Sequence, residues 1–206
     1  TTNIEGSNLL ATDRIGITTG DLNVTASRNT TESSTEAQHG NVTVQVTAYG
    51  AAGGASVNAS FDRSKNSDRS TTYNNSNLLA DKIDITTSGD TTIRGGNVRA
   101  ESELNADIQG NLTVESVQNR SSSRNSSAGV SGGVSLGGSQ VSGANGGFNV
   151  GNGMSSTRET VLSSLTSGGT ANINVGKHTQ VTGAVIGTTD ANGNDLNQLN
   201  LTTDTI

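Results

Sequence analysis

The sequence of 206 residues contains no cysteine, no proline and no tryptophan, and its only aromatic residues are two Phe and two Tyr. Without cysteine, neither a disulfide framework nor a thiolate metal site can form, so stability must come from the backbone ladder and from packing. Hydrophobic residues make up only 29% of the chain and aromatic residues 2%, which makes a compact globular core difficult to build. The apolar residues must be spread thinly along the fold.

Charged residues are also few, at 15% of the chain, and the formal net charge is −6. The basic stripe and the aromatic stacking platform that nucleic-acid binding requires are both missing, so we expect no nucleic-acid partner. No run approaches the roughly 18 apolar residues of a membrane-spanning helix, and the first residues lack the charged and then apolar pattern of an export signal. We therefore expect a piece of a longer chain whose export signal lies upstream.

Low hydrophobicity with abundant Ser, Thr, Asn and Gly is also typical of disordered chains. Here the low charge, the absence of proline and the placement of Val, Ile and Leu at every second position favour β-strands instead. Ile15 and Ile17 alternate with polar residues, and Leu22 and Val24 do the same after the turn-like Thr19-Gly20-Asp21. The pattern predicts an ordered chain of short, one-sided strands.

An internal repeat relates these strands to one another. Gly20-Asp21-Leu22-Asn23-Val24 matches Gly110-Asn111-Leu112-Thr113-Val114 at a distance of 90 residues, and Ile83 falls on Ile173 at the same distance. A fixed period of this kind is typical of stacked units that cannot bury an apolar face alone. We predict one repetitive segment over 1–206, with repeat one at about 1–90, repeat two at about 91–179 and a partial third repeat at 180–206.

The fold class predicted from thin hydrophobicity, alternation and repetition is all-β. The specific architecture is a right-handed parallel β-helix, or solenoid, with protruding β-hairpin excursions. In such a fold the inward Val, Ile and Leu side chains stack coil upon coil, and each coil satisfies the backbone hydrogen bonds of its neighbour. A period of 90 residues is too long for one coil, so each unit must hold several strands.

The excursions are predicted where the repeat diverges, at about 30–76 and about 119–165. The first carries Val42, Val44 and Val46, then the loop Tyr49-Gly50-Ala51-Ala52-Gly53-Gly54, then Val57 and Phe61. This arrangement predicts a β-hairpin. Because its two strands are amphipathic and detached from the main ladder, they are the candidate membrane or partner contact.

The second excursion has the same plan with weaker residues, including Val130, Val134, Leu136 and Phe148 among Gly and Ser. A hairpin and a disordered loop both fit this composition. The flanking Ser-rich stretches, 121–123 and 155–157, are predicted to be flexible joints.

Four motifs are spread over 91–186: Thr91-Thr92-Ile93-Arg94-Gly95, Gly110-Asn111-Leu112-Thr113-Val114, Gly-Val-Ser-Gly-Gly-Val-Ser at 129–135, and Thr182-Gly183-Ala184-Val185-Ile186. In this order and spacing they resemble the haemagglutinin repeats of filamentous haemagglutinin-like exoproteins, which use two-partner secretion. The closing stretch, with Leu199-Asn200-Leu201-Thr202-Thr203 after the last motif, looks like the end of the second repeat region in contact-dependent growth-inhibition exoproteins.

That resemblance implies a secreted protein at the bacterial cell surface, carried out of the cell by an outer-membrane transporter. It also implies a structural or delivery segment that lies upstream of a C-terminal toxin and engages the outer membrane or a surface receptor of target bacteria. The alternative function is an adhesin module that binds a host-cell glycan or protein through the outer face of the helix.

Candidates for catalysis or metal binding are sparse, and the sequence predicts no catalytic, metal-binding or cofactor-binding residue. The two histidines, His39 and His178, have no Glu or Cys nearby at metal-ligand spacing. The loop from Asp190 to Asp195 departs from the EF-hand pattern, because its glycine is misplaced and no Glu stands at the twelfth position. Paired carboxylates such as Asp81 with Asp84, or Glu101 with Glu103, have no aromatic neighbour on which a sugar would stack.

Overall fold

The structure, a computed structural model, describes residues 1–47 and 53–206. Among these residues the chain is all-β and contains no helix, and therefore no helix long and apolar enough to cross a membrane. The all-β class predicted from the sequence is confirmed. The sixteen strands in the described ranges are β1 (Thr2–Glu5), β2 (Asn8–Leu10), β3 (Arg14–Thr19), β4 (Leu22–Thr25), β5 (Ser27–Thr47), β6 (Gly54–Asn74), β7 (Ser76–Thr87), β8 (Thr91–Arg94), β9 (Gly96–Ile108), β10 (Leu112–Glu115), β11 (Val117–Gly137), β12 (Gln140–Val161), β13 (Ser164–Ser167), β14 (Thr170–Thr182), β15 (Val185–Thr188) and β16 (Leu199–Thr205).

The chain divides into two compact units, which alternate along the sequence. Unit 1 comprises Thr1–Thr30, Thr71–Arg120 and Arg158–Ile206. Unit 2 comprises Thr31–Ser70 and Ser121–Thr157. The two segments of unit 2 lie within the excursions expected from the sequence.

Unit 1 is a β-helix of parallel strands, as the repeat predicted. Its third turn shows the plan, with one strand at β8 and two further segments within β9, at 96–100 and 103–108. Each segment pairs in parallel with the equivalent segment of the turn before and of the turn after. In the described residues, five such turns stack on one another.

Columns of aliphatic side chains fill the inside of unit 1. Strand alternation turns every second residue inward, and the parallel register places each inward residue on its counterpart in the next turn. The residues of this core are 0–6% exposed. Burial of one Val, Leu or Ile contributes on the order of 1.5–3 kcal/mol. One column runs through all five described turns, and the residues at its two ends are half-buried: Ile17, Ile85, Ala106, Ile173 and Leu201.

The repeat period corresponds to two turns of unequal length. Leu22 pairs with Thr91, 69 residues later, and Thr91 pairs with Leu112, 21 residues later. The long step contains a hairpin insertion and the short step does not. The sequence match of Ile83 with Ile173 is wrong by two residues, because Ile85 occupies the column of Ile173. The stretch from Leu112 to Ile173, which contains the second insertion, is two residues shorter than the equivalent stretch from Leu22 to Ile85.

One corner of the helix distinguishes turns with an insertion from turns without one. In the first, third and fifth turns it is formed by Gly6, Gly95 and Gly183, with φ of 52°, 65° and 59°. This left-handed conformation turns the chain within one residue, and it suits glycine because a Cβ would clash there. In the second and fourth turns Ala26 and Ser116 stand at this corner, and the chain continues into β5 and β11.

Two serines close the corner where each insertion ends. Ser76 and Ser163 are fully buried. The Ser76 hydroxyl donates to the carbonyl oxygen of Thr25 at 2.7 Å, and the Ser163 hydroxyl donates to that of Glu115 at 2.6 Å. Each serine adds a second hydrogen bond to its carbonyl, since Thr25 O also accepts from the N–H of Gly6 and Glu115 O from that of Gly95.

Unit 2 is a four-stranded sheet with the strand order β12, β11, β6, β5. Gly129 lies beside Asp62 and Gly133 lies beside Asn58, so β6 and β11 run antiparallel. The second excursion is thus a hairpin rather than a disordered loop. The prediction of flexible joints at 121–123 and 155–157 is wrong, because these residues continue β11 and β12 in the same ladder. Of the loop expected at Tyr49–Gly54, Tyr49–Ala52 lie outside the described residues.

Candidate partner-binding surface

The apolar residues of β5 and β6 share one face of the unit 2 sheet. The ring of Phe61 lies beside Gly40, and Arg63 forms an ion pair with Glu36, so the even positions of β5 face the odd positions of β6. Because successive side chains of a strand alternate between faces, Val42, Val44 and Val46 lie on the side of Gly40. Val57 lies there as well, on the side of Phe61.

Strands β11 and β12 extend the same face. Asp62 and Asn149 both lie over Gly129 on the opposite side of the sheet. Val130, one residue further, therefore lies on the side of Phe61 together with Phe148. The two hairpins build one continuous surface.

We call this surface the apolar face. Its large side chains are between 41% exposed, at Leu136, and 85% exposed, at Phe148. In the described part of unit 2 only Val141, among exposed large apolar residues, falls on the opposite side. None of the buried core residues of the described chain belongs to unit 2. The apolar face consists of Val42, Val44, Val46, Val57, Phe61, Val130, Val134, Leu136, Phe148, Val150 and Met154.

The opposite side of the sheet, the polar face, is made of small polar residues and glycine. Asn58 and Asn145 lie over Gly133 from the two neighbouring strands, as Asp62 and Asn149 lie over Gly129. Glycine leaves room for these side-chain oxygens, which would have to move if a Cβ were present. The sheet is therefore strongly amphipathic.

A cationic pocket borders the apolar face. Lys65 and Arg124 line it together with Ser67, Asn152 and Met154. Among the described residues neither cation forms a salt bridge.

The other basic side chains of unit 2 are paired. Arg63 pairs with Glu36 and Arg69 with Glu32. The hydrogen bond from Arg63 lowers the pKa of Glu36 below its ordinary value, and the charges of Arg63 and Lys65 act in the same direction. The pairing leaves Lys65 and Arg124 as the cations available to an anionic partner on this side of the sheet.

A second polar surface lies on the outside of unit 1, where amide and carboxylate side chains stack in ladders. Asn105 Nδ2 donates to Asp84 Oδ1 at 3.1 Å, and Asn172 Nδ2 donates to Asn105 Oδ1 at 3.1 Å. Beside this ladder, Asn174 Nδ2 donates to Asp107 Oδ1 at 3.2 Å. We call the shallow depression between the two ladders the outer groove. Its side chains offer both donors and acceptors.

The carboxylates considered for glycoside cleavage are engaged in surface ion pairs. Glu103 accepts from Lys82 Nζ at 3.1 Å, and Glu101 accepts from Arg99 Nε at 3.2 Å. Hydrogen bonds from Asn105 and then Lys82 lower the pKa of Glu103. A general acid for glycoside hydrolysis needs a raised pKa, so this environment acts in the wrong direction.

The loop considered for calcium uses its carboxylate internally. Asp190 Oδ1 accepts from the backbone N–H groups of Asn192 and Asn194, both at 2.8 Å, and Oδ2 accepts from Asn194 Nδ2 at 2.9 Å. These bonds lower the pKa of Asp190 and form an Asx-type turn. His178 Nδ1 lies 2.9 Å from Thr205 Oγ1. Among the described residues no cluster of three His, Cys, Asp or Glu side chains is placed to hold a metal.

Sequence reasoning named five members of the apolar face, and the structure brings them together. Val42, Val44, Val46, Val57 and Phe61 all lie on it and all are exposed. Their role as a contact surface remains a prediction. The six members from β11 and β12 were not predicted as a site. The signal that would have found them is the concentration of large apolar residues at even positions of this segment, at 130, 134, 136, 148, 150 and 154, with Val141 as the exception.

Comparison with known families agrees with this architecture. The family model described as hemagglutinin repeat matches residues 1–130 and again residues 119–204. No curated protein matches the chain in sequence. Each matched range includes one hairpin of unit 2. Repeats of this kind are generally non-catalytic, structural segments of secreted, adhesin-like surface proteins. The chain belongs to the hemagglutinin repeat family.

Proposed function

We propose that this chain is a presentation and delivery segment of an exoprotein exported by two-partner secretion, and that its apolar face contacts the outer membrane of target bacteria. In this role the segment resides at the surface of the producing cell, which it reaches through an outer-membrane transporter. It helps a C-terminal toxin to enter the target, as in contact-dependent growth inhibition.

The apolar face is the observation that carries the proposal. Eleven large apolar side chains, all substantially exposed, lie on one side of a sheet whose other side is polar. Soluble proteins rarely expose an apolar patch of this extent unless it contacts a partner or a membrane. Complete transfer of one such side chain from water to an apolar phase is favourable by about 1.5–3 kcal/mol.

The cationic pocket supports a bacterial membrane as the partner. Lys65 and Arg124 border the apolar face, where they would lie at the level of lipid headgroups if the face entered a bilayer. Each Lys or Arg near an anionic membrane surface contributes about 1 kcal/mol. Lipid phosphates, including those of lipopolysaccharide, match this charge.

The proposal is tested by cosedimentation with phosphatidylethanolamine and phosphatidylglycerol vesicles, with and without lipopolysaccharide. The wild-type chain should bind, and the double variant Phe148→Ser, Val150→Ser should lose most of the binding. Val141→Ser is the matched control, because Val141 is as exposed as Val150 but lies on the polar face. Absence of wild-type binding, or an equal loss in the control, would contradict membrane contact.

The delivery role needs a second test in the full exoprotein on producing cells. The double variant Phe148→Ser, Val150→Ser should reach the surface in normal amount and kill fewer target cells in a growth competition. Killing at the wild-type level would separate membrane binding from delivery and remove the apolar face from the delivery step.

An adhesin module is the second candidate function, and the outer groove favours it. Its paired amides and carboxylates are the groups that hydrogen-bond sugar hydroxyls. A glycan array should then show binding that Asn172→Ala removes. Asn23→Ala is the control, since Asn23 belongs to a similar amide pair on a different side of unit 1. A blank array, or equal loss in both variants, would count against the groove.

A further inference from the structure

The unit 2 sheet contains one seam between its two hairpins and two outer edges. β6 of the first hairpin pairs with β11 of the second, and Gly138 N donates to Gly53 O at 2.9 Å near the hairpin tips. Among the described residues, β5 and β12 form the outer edges. Unpaired N–H and C=O groups along an edge strand are a template for another strand.

The two hairpins are equivalent structural copies. Their first strands follow β4 and β10, which are related by an offset of 90 residues, from Leu22 to Leu112. Their second strands precede Ser76 and Ser163, which occupy the same register position and are 87 residues apart. Adding 90 to a position in the first strand and 87 to a position in the second strand maps the neighbouring pair Gly40 and Phe61 onto Val130 and Phe148.

The seam therefore shows how one hairpin of this kind pairs with the next. It joins the second strand of one copy to the first strand of the following copy. The same rule, applied to the outer edges, joins β12 to a strand equivalent to β5. We propose that β12 accepts β5 of a second copy of this chain, antiparallel and head to tail.

The offsets also fix the register of the new pair. In the seam Asn58 lies beside Gly133. Adding 87 to the position of Asn58 and subtracting 90 from that of Gly133 maps this pair onto Asn145 and Thr43 of the second copy. Because the strands are antiparallel, Gly147 then faces Asn41 of the second copy, and Gly143 faces Gln45 of the second copy.

Side-chain sizes on the polar face fit this register. Around Gly143 the space is open for 4 Å, and Gly147 has only the Ser131 hydroxyl close by. The longer amides of Asn41 and Gln45 are therefore directed over glycines. Within the chain, Gly129 and Gly133 receive polar side chains from both neighbouring strands in the same way.

The apolar face fits as well. The register sets Val42 against Gly146, Val44 against Ala144 and Gly40 against Phe148. Within the first hairpin Gly40 also faces an aromatic ring, that of Phe61. Large residues thus meet small ones across the new pair, and the apolar face continues from one copy into the next.

Because the contact uses different surfaces on the two copies, it generates an open chain of copies rather than a closed dimer. The association should increase with protein concentration. It requires no lipid, so it succeeds or fails independently of the membrane contact proposed above.

Cysteine crosslinking tests the register directly, because the native chain contains no cysteine. Gln45→Cys and Gly143→Cys variants, mixed and oxidised, should form a disulfide-linked heterodimer with loss of the monomer band. The control mixture, Asn41→Cys with Gly143→Cys, is four residues out of register and should remain monomeric. Equal crosslinking in the two mixtures, or none in either, would overturn the proposal.

Sedimentation velocity provides the second measurement. Gly143→Gln fills the open position without a clash in the chain and should abolish the larger species. Gly187→Gln is the matched control, since Gly187 has equally open surroundings in unit 1. Persistence of association in Gly143→Gln, or its loss only in Gly187→Gln, would assign the contact elsewhere and contradict the proposal.

Discussion

Units 1 and 2 share the same alternation of side chains along their strands, but the apolar residues are buried in unit 1 and exposed in unit 2. In unit 1 the inward residues of stacked turns bury one another, as Val114 and Ile93 do at 0% exposure. In unit 2 the equivalent alternation leaves Phe148 and Val150 in solvent. The net charge differs as well: unit 2 carries four acidic and four basic residues, so the formal charge of −6 belongs to unit 1.

The difference separates what stabilises this fold from what is available to a partner. A sheet with one apolar face ordinarily buries it against another layer. Unit 1 meets this requirement by winding the chain around its own core. The described residues of unit 2 have no buried core of their own, so a partner would supply the missing layer.

The largest effect is expected when a carboxylate is placed in the core of unit 1, and the same change on the apolar face of unit 2 is its comparison. Val114→Asp should lower the free energy of unfolding by about 3–5 kcal/mol, because it buries an unpaired charge. Val134→Asp lies on the exposed apolar face and should change it by less than about 1 kcal/mol. Urea unfolding monitored by circular dichroism measures both.

Thr113→Asp is the control within unit 1, because Thr113 adjoins Val114 and faces outward. Its effect should be small. If Thr113→Asp and Val114→Asp destabilise equally, the assignment of strand faces in unit 1 is wrong.

A moderate effect is expected where the insertions return to the helix. Ser163→Ala removes the hydroxyl hydrogen bonds to the carbonyl of Glu115 and to the N–H of Gly95, two groups that keep their direct bond to each other at 3.1 Å. Because both groups keep a partner, the loss should cost about 0.5–1.5 kcal/mol. Ser131→Ala on the polar face of unit 2 should cost much less in the same urea titration, and equality of the two would contradict the role of the corner serine.

Acid should weaken the hydrogen bonds that the Asp21 carboxylate accepts in unit 1. The backbone N–H of Asp90 and the hydroxyl of Thr1 bond to Asp21 and lower its pKa below the ordinary 3.8. Since the folded pKa is the lower one, this stabilisation is present above about pH 4 and is lost as the pH falls further. Asp21→Asn should therefore lose less stability than the wild type between about pH 6 and about pH 3. An identical acid response would exclude Asp21 as a contributor.

The smallest effect is expected at an exposed ion pair of unit 2. Arg69 and Glu32 are both largely in solvent, so Arg69→Ala should cost no more than about 1 kcal/mol. Thermal unfolding at low and at high salt would measure it. A larger cost would mean that this pair stabilises the hairpin more than its exposure suggests.

The sequence predicted the local rules of unit 1 well. Alternation identified Leu22, Val24, Ile83 and Ile85 as inward residues, and all four are buried. Their signal was clear because Val, Ile and Leu recur at period two within short runs bounded by Gly-Asp or Gly-Asn turns. Register between turns was harder, because an error of two residues preserves the inward face and is invisible to alternation.

The seam between the hairpins was beyond sequence reasoning. It joins β6 to β11, which are separated by about 70 residues in the chain, and it depends on Gly129 and Gly133 rather than on an apolar pattern. Glycine and serine carry weak strand preference, so this segment resembled a loop. The positions of Val130 and Phe148 on the same face as Phe61 follow only from the antiparallel register.

The alternation of side chains between the two faces of β12 can be tested most directly. Single cysteines at positions 148 to 154, labelled with an environment-sensitive fluorophore, would report which side chains enter an apolar phase when vesicles are added. Emission should shift to the blue at 148, 150 and 154, and it should not shift at 149, 151 and 153. Shifts without this alternation, or none at any position, would contradict an open apolar face that serves as a contact surface.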